Sequence, residues 1–243
     1  MNELLWLVEL LIIFLLVVLA YRLFGEQGLI IWIPLSVIIA NIQVVQAVRL
    51  FGLSATLGNP AYAASFLITD ILSENHGPKA ARRAVWMGFF SLLCVTLLMN
   101  LTLRYFPLPG DDWAGESHAA LTAIFSLLPR IALASLTAYL LSQCHDVWAF
   151  ALIKRRFPGR RWLWLRNNLS TMVSQLIDSA CFVLIAFWGV YESRVLWEIF
   201  LTTYLLKWAV AAADTPFLYW ARDIATRRGL DNRVSESHTE TLT

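Results

Sequence analysis

The chain has 243 residues, of which 58% are hydrophobic and 15% charged, and it carries a formal net charge of +2. A soluble domain contains nearer a quarter of charged residues, and the apolar excess here falls in long blocks. Because a membrane-spanning helix needs roughly 20 apolar residues, seven such blocks with short connections use nearly the whole chain. The composition therefore predicts an all-α polytopic membrane protein and leaves little room for a large catalytic domain outside the bilayer.

The first apolar run, residues 4–24, is similar in hydropathy to a signal peptide. However, no basic residue precedes it, and its length exceeds the roughly 7–15 residues of a signal-peptide core. We therefore expect an uncleaved span with its N-terminus outside. The later runs, in chain order, are residues 29–50, 53–73, 84–106, 119–147, 169–190 and 196–220.

The third run is interrupted by Gly58, Asn59 and Pro60, so it predicts either a crossing helix or a re-entrant half-helix. The positive-inside rule favours the crossing. With seven crossings, 14 of the 19 basic residues face the cytoplasm, namely Arg22, Lys79, Arg82, Arg83, Lys154, Arg155, Arg156, Arg160, Arg161, Arg166, Arg222, Arg227, Arg228 and Arg233. We expect seven crossings and a cytoplasmic C-terminus, with a polar, disordered tail at residues 229–243.

The loop at residues 154–166, KRRFPGRRWLWLR, combines basic and aromatic side chains. This combination occurs in nucleic-acid-binding segments and also in loops that anchor a chain at the membrane surface. Next to a membrane span, Trp162 and Trp164 suit the interfacial aromatic belt, and the cations suit anionic lipid headgroups. We therefore expect contact with the lipid bilayer and no nucleic-acid partner.

The sequence predicts neither a metal site nor a cofactor. The three cysteines, Cys94, Cys144 and Cys181, lie in or at the end of apolar runs without a CxxC pair, and the four histidines are scattered. Motifs of soluble enzymes, such as GxGxxG, a Walker lysine, HExxH or GxSxG, are absent from the sequence.

The sixth run has a polar face. At 100° per residue, one sector of roughly 120° contains Asn167, Asn168, Thr171, Ser174, Gln175 and Asp178. Asp178 lies about eleven residues, or roughly 16 Å, from the cytoplasmic end of the run, near the bilayer midplane. Such residues also join helices by hydrogen bonds, but six on one face with a carboxylate favour the wall of a polar cavity.

Other runs supply polar partners within the membrane: Asn41, Arg130, Tyr139 and Lys207, with Asp70 in the cytoplasmic half of the third run. Ionisable residues inside a membrane are costly and mark functional sites by default, although Arg130 or Lys207 could simply neutralise a carboxylate. Opposite charges converge here, whereas a conducting channel presents a ring of one sign. The residues alone therefore favour transport of a small molecule.

Four segments resemble the queuosine precursor transporter family, which is also called the vitamin uptake or YhhQ-like family. They are SFLITDILSENHGPKAARRAVWMGF at 65–89, LPRIALASLTAYLLSQCHDVWAF at 128–150, LRNNLSTMVSQLIDSACFVLIAFWG at 165–189 and YLLKWAVAAADTPFLY at 204–219. The residues that match the family pattern are Asp70, Arg82, Arg83, Arg130, Tyr139, Gln143, Asp146, Ser170, Thr171, Gln175, Asp178 and Lys207.

The resemblance implies a six-helix transporter core at residues 27–228, an additional N-terminal helix at 1–26 and a bacterial inner-membrane location. It further implies uptake of 7-cyano-7-deazaguanine and 7-aminomethyl-7-deazaguanine for tRNA modification, with queuine as a third candidate and with homo-oligomers as an open question. One alternative is the substrate-binding subunit of an energy-coupling factor transporter. Another is an intramembrane enzyme with Asp178 and Lys207 as acid and base, which is disfavoured because no nucleophile–base pair is evident.

A guanine-like base has adjacent N1–H and amino donors that one carboxylate can accept together. We expect Asp178 to accept them, with Gln175 and Asn168 alongside. Asn41, Gln143 or Arg130 would lie near the O6 and N7 acceptors of guanine, of which a 7-deazaguanine keeps only O6. Asp70 would bind the aminomethyl group or carry a coupling proton. Candidate stacking partners for the ring are Tyr139, Phe182 and Tyr204.

Overall fold

A computed structural model describes residues 1–44, 46–51, 53–125, 129–189 and 192–228, and of residues 47, 53–56, 129–132, 195, 198 and 202 it describes the backbone only. The expected disorder of the tail at 229–243 lies outside the described residues. The helices are α1 Asn2–Phe24, α2 Glu26–Gln43, α3 Asn59–Asn75, α4 Pro78–Thr102, α5 Asp112–Phe125, α6 Pro129–Arg156, α7 Leu163–Phe187, α8 Ser193–Ala213 and α9 Thr215–Arg227.

Four of the predicted runs do not correspond to single helices. The second helix ends at Gln43, and the strands β1 Ala47–Leu50 and β2 Leu53–Thr56 follow it as an antiparallel hairpin. The run at 119–147 is divided between α5 and α6, and the run at 196–220 between α8 and α9. Residues 126–128, between α5 and α6, lie outside the described residues. Helix α6 begins at Pro129, and α9 has Pro216 in its first turn, a position where proline is tolerated.

Several helix ends meet at one place in the bundle. Tyr21 near the end of α1 hydrogen-bonds His76 just after α3 (3.1 Å), and Lys154 at the end of α6 pairs with Glu74 in α3. Arg166 at the start of α7 also reaches Glu74. We call this the basic end; its residues include Arg22, Lys79, Arg82, Arg83, Lys154, Arg166, Arg222 and Arg228. The segments predicted to share the cytoplasmic side thus lie together.

Four helices in the described part of the chain are long and apolar enough to cross a membrane: Asn2–Phe24, Glu26–Gln43, Pro78–Thr102 and the helical segment Arg160–Phe187. Large apolar side chains such as Leu23, Leu97 and Leu98 are more than half exposed, as expected for surfaces that face lipid. The fold class is confirmed: the chain is an all-α polytopic membrane protein with one short hairpin. The count of seven crossings stays a prediction.

Helix α3 occupies the centre of the bundle. Its apolar side chains Phe66, Leu67, Ile68 and Ile71 are completely buried, and so is Asp70 on the same helix. It packs against α1, α2, α4, α6, α8 and α9. Helix α1 also packs into this core through Phe14, Val17 and Tyr21. The boundary between an additional helix and a six-helix core, at residues 26 and 27, stays a prediction.

Candidate functional site

Asp178 on α7 joins four helices. Its Oδ1 atom accepts hydrogen bonds from Tyr62 Oη on α3 (2.5 Å) and from Ser142 Oγ on α6 (3.2 Å). Its Oδ2 atom forms an ion pair with Lys207 Nζ on α8. The side chain of Asp178 is only 4% exposed and that of Lys207 13%. Because burying a lone charge is costly, opposite charges here must be held together.

Aromatic rings stand next to this ion pair. Lys207 Nζ lies 4.9 Å from the centroid of the Tyr62 ring, within cation–π range. The Tyr62 ring is 6.3 Å from that of Tyr139, which is buried and whose hydroxyl donates to Val85 O (3.4 Å). The site thus offers a carboxylate, an ammonium and flat apolar faces together, as sites for small heterocyclic ligands do.

One turn closer to the basic end, Gln143 continues the polar cluster. Its Nε2 atom donates to Ser65 Oγ (2.6 Å), and its Oε1 atom accepts from Thr69 Oγ1 (3.3 Å). Ser65 and Thr69 are on α3 and Gln143 is on α6, so these bonds link the two helices next to the Asp178 pair. All three side chains are fully buried. We call the group Tyr62, Ser65, Ser142, Gln143, Asp178 and Lys207 the central polar cluster.

Three further carboxyl groups, on Asp70, Asp146 and Asp214, are completely buried. Thr171 Oγ1 lies 3.4 Å from Asp70 Oδ2 and 3.3 Å from Asp146 Oδ1. Asp214 accepts from Asn167 Nδ2 (2.6 Å). Within the part of the chain that the structure describes, these three groups have no ion pair. Buried carboxylates without cations oppose stability, and ionisable residues inside a membrane are candidate functional groups by default.

Glu74 closes the basic end. It pairs with Arg166 (2.7 Å), Arg222 (3.0 Å) and Lys154 (3.2 Å), which come from α7, α9 and α6. Lys154 Nζ also donates to the carbonyl oxygens of Ser73 (3.3 Å) and Glu74 (2.5 Å) at the end of α3. Cations are favourable at the carbonyl end of a helix. One carboxylate therefore ties four helices together at this end.

The predicted site residues are only partly brought together. Asp178 and Lys207 are in contact, Tyr139 and Gln143 lie in the next layer, and Asp70 lies beyond it. The remaining ones do not contact Asp178 within the described contacts. Asn41 donates to Val37 O of its own helix (2.9 Å). Asn168 donates to Trp164 O (2.8 Å) and to Thr215 Oγ1 (2.9 Å) at the basic end. Gln175 is buried, and its Oε1 atom has no hydrogen-bond partner in the described part of the chain.

Arg130 is a predicted site residue whose side chain lies outside the described residues. Of the proposed stacking partners, Phe182 follows Asp178 by one helical turn and packs on Phe187, with ring centroids 5.8 Å apart. Tyr204 precedes Lys207 by one turn and stacks on Phe200 at 6.2 Å. Both aromatic residues therefore lie on the helix faces that carry the ion pair, although each contacts another ring in this conformation.

Sequence reasoning missed Tyr62, which donates a hydrogen bond to Asp178. A signal for it exists: Tyr62, Ser65 and Thr69 are spaced by three and four residues, which aligns them on one face of α3. The same argument that identified the polar face of α7 therefore applies to α3. Gly58, Asn59 and Pro60 suggested a break inside this run, but they form the turn before α3 and its first residues.

Comparison with known proteins gives a concordant result. A protein-family model described as "Putative vitamin uptake transporter" matches residues 56–221. A "Probable queuosine precursor transporter" of Bacillus subtilis (strain 168) is 46% identical over 221 residues, which cover 91% of this chain and 95% of that protein. The "Queuosine precursor transporter" of Escherichia coli (strain K12) is 32% identical over 149 residues, covering 61% of this chain and 62% of that protein. No solved structure matches.

The chain belongs to the queuosine precursor transporter family. It is therefore a membrane transporter and not an enzyme. The region matched by the family model runs from the end of the hairpin into α9, so it contains the whole central polar cluster and the three buried carboxyl groups. Helix α1 and helix α2 precede that region.

Proposed function

We propose that this protein imports queuosine precursors of the 7-deazaguanine class across the bacterial cytoplasmic membrane, for salvage into modified tRNA. The observation that carries the proposal is the buried Asp178–Lys207 pair, surrounded by hydroxyl, amide and aromatic groups from four helices. The names of the relatives from Bacillus subtilis and Escherichia coli support the substrate class. The basic end would face the cytoplasm, because positive residues concentrate there.

Recognition of the base would begin at Asp178. The N1–H and amino group of a 7-deazaguanine are neighbouring donors, and one carboxylate accepts both in a bidentate arrangement. Tyr62, Ser142 and Lys207 satisfy the same two oxygen atoms in the structure. An incoming base would therefore replace some of these donors, so the buried carboxylate stays paired both with and without substrate.

Lys207 would then contact the acceptor side of the base. Released from Asp178, its ammonium can donate to O6, as lysine side chains do in base readout. O6 is the acceptor on that edge, because position 7 of these bases is carbon. The ring of Tyr62 already contacts Lys207 at 4.9 Å and offers a face for stacking. Because the base would replace the ion pair that joins α7 to α8, its binding would allow these two helices to rearrange.

The C7 substituent distinguishes the substrates within this class. An aminomethyl group carries a positive charge, whereas a cyano group is neutral. Asp70 is fully buried and has one carboxylate oxygen without a hydrogen bond in the described part of the chain. Asp70 would therefore favour the aminomethyl base, and Asp70→Asn should reduce uptake of that base more than uptake of the cyano base.

Uptake of labelled 7-cyano-7-deazaguanine by a salvage-dependent bacterial strain tests the proposal. Asp178→Asn keeps the volume but replaces a carboxylate oxygen by a donor, and we expect at least about a hundredfold loss of uptake, since a site built for hydrogen bonds rejects mismatched donors strongly. Asp112→Asn makes the same chemical change at an exposed position and should leave uptake unchanged. Uptake by Asp178→Asn equal to that of Asp112→Asn, at matched protein levels in the membrane, would refute the proposed role.

A second candidate function is that of the substrate-binding subunit of an energy-coupling factor transporter. The observation in its favour is a strip of small exposed residues on α8, Ala209, Ala212 and Ala213, which would allow close approach of a partner helix. Purified protein in liposomes distinguishes the two functions. Accumulation or exchange of the base by the protein alone supports a self-sufficient transporter, and binding without transport supports a subunit that needs an energising partner.

A further inference from the structure

A cavity opens at the basic end, away from the central polar cluster. It has a volume of about 340 Å³ and lies between the end of α1 and helix α9, where it is lined by Arg22, Trp220, Asp223, Ile224, Arg227 and Arg228. This volume falls within the roughly 300–1,000 Å³ of small-molecule sites. Transport as proposed above does not use this cavity.

The charge of the cavity is strongly positive. Its single acidic residue, Asp223, is held by Arg160 through two hydrogen bonds of 2.7 and 2.9 Å, so its charge is compensated from outside the cavity. The structure shows no ion pair or hydrogen bond from the side chains of Arg22 and Arg227 to the rest of the described chain. Two guanidinium groups therefore face the same space with their donors available.

Arg228 is fixed at the third side of the cavity. Its two terminal nitrogen atoms donate to the carbonyl oxygens of Tyr21 (3.4 Å) and Arg22, which end helix α1. A guanidinium has five N–H donors, so three remain. The positive φ of Gly25 (62°) turns the chain sharply after α1, and its Cα lies beside Arg228: a Cβ built there would be 3.6 Å from Nη1. The local fold thus fixes Arg228 at the wall of the cavity that Arg22 and Arg227 also line.

Exposed apolar side chains stand next to the cavity. Leu19 (46%), Leu23 (61%) and Phe24 (67%) at the end of α1 are exposed, as is Trp220 on α9 (44%). Tryptophan concentrates where the hydrocarbon meets the headgroups, and basic pockets between helices on that side bind anionic headgroups. The ligand chemistry that fits is a phosphate group attached to acyl chains that lie along α1.

We infer that this cavity binds the phosphate of an anionic phospholipid, with Arg22, Arg227 and Arg228 as its donors and Trp220 at the border with the acyl chains. A guanidinium group can bind two oxygen atoms of one phosphate at once, whereas a lysine ammonium acts as a point charge, so three arginines suit a phosphate well. Bound lipid would link α1 to α9 at the end of the bundle that Glu74 also closes.

Binding of short-chain phosphatidylglycerol to the purified full-length protein in a neutral detergent tests the inference, with phosphatidylcholine of equal chain length and inorganic phosphate as comparison ligands. We expect saturable binding of phosphatidylglycerol, weakened about fivefold by Arg22→Gln or Arg227→Gln and more by both together. Both arginine side chains are exposed, so these variants should fold normally. Arg228 is left intact because it also holds the end of α1.

The matched control is Arg82→Gln with Arg83→Gln, two exposed arginines of the basic end that do not line the cavity. This pair should change binding less than about twofold. Equal losses in the control and cavity variants, or equal affinity for phosphatidylcholine, would overturn the inference. Inorganic phosphate that binds as tightly as phosphatidylglycerol and with the same arginine dependence would assign the site to a soluble anion and overturn the lipid assignment.

Discussion

At the scale of single residues, the most informative position is Lys207. Its side chain is 13% exposed and that of its partner Asp178 4%, so removal of either charge leaves the other without compensation in the bundle. Breaking a buried ion pair from one side costs about 3–5 kcal/mol, much more than removing both charges. The pair therefore contributes both to stability and to the proposed binding of the base, and two kinds of measurement can separate these roles.

Lys207→Met should lower the midpoint of thermal unfolding of the detergent-purified protein, with a loss of about 3–5 kcal/mol. Adding Asp178→Asn should restore most of the stability, because the uncompensated charge is removed, whereas uptake of the base should stay lost. Restored uptake in the double variant would show that the pair has a structural role only. Unchanged stability of Lys207→Met would contradict the observed ion pair.

Gly88 on α4 permits the close approach of Tyr139. A Cβ atom built on Gly88 would lie 2.3 Å from Tyr139 Oη and 2.7 Å from Ile33 Cγ2. Gly88→Ala should therefore destabilise the protein by about 1–3 kcal/mol, as overpacking does, and should displace Tyr139 next to Tyr62. Gly115→Ala is the control, because a Cβ atom at this helical position meets nothing within 4 Å. Thermal unfolding that is equal in both variants would contradict the packing described.

At the scale of helices and strands, hydropathy identified where apolar segments lie but not where helices end. The averaging that detects a span extends over about 19 residues, so it cannot resolve the turn at Asp214 that separates α8 from α9. The hairpin was missed for a similar reason: residues 47–56 were assigned to the ends of two apolar runs. The polar face of α7, in contrast, could be predicted from the sequence, because the residues that share one face of a helix are determined by their spacing alone.

The connection between α3 and α4 should be sensitive to pH. His76 Nε2 hydrogen-bonds Tyr21 Oη (3.1 Å), and Nδ1 lies 3.6 Å from Glu26. Burial lowers the pKa of His76 below 6.5, opposed by Glu26. Because the unfolded chain binds the proton more readily, this residue should reduce stability as the pH falls below about 6.5, and His76→Gln should reduce that dependence. Thermal unfolding between pH 7.5 and 5 checks this, and an identical pH dependence in both proteins would contradict it.

At the scale of the whole molecule, the bundle places one polar cluster at its centre and a second, around Glu74, at the basic end. Sequence patterns predicted that Asp178 and Lys207 are functional, and the charge distribution predicted that the basic segments share one side. The pairing of Tyr62 with Asp178 was not predictable in the same way, since 116 residues separate them and only the tertiary fold brings α3 and α7 within reach of each other's side chains. Long-range packing, not local pattern, decided which polar residues meet.

The central claim is that Asp178 in this bundle recognises the donor edge of a guanine-like base. Direct binding of 7-cyano-7-deazaguanine, guanine and adenine to the purified protein measures this most directly. We predict saturable binding of the deazaguanine, about a hundredfold weaker binding of adenine, which lacks the two adjacent donors on this edge, and loss of binding in Asp178→Ala with retention in Asp112→Asn. Equal affinity for adenine, or unchanged binding in Asp178→Ala, would contradict the account.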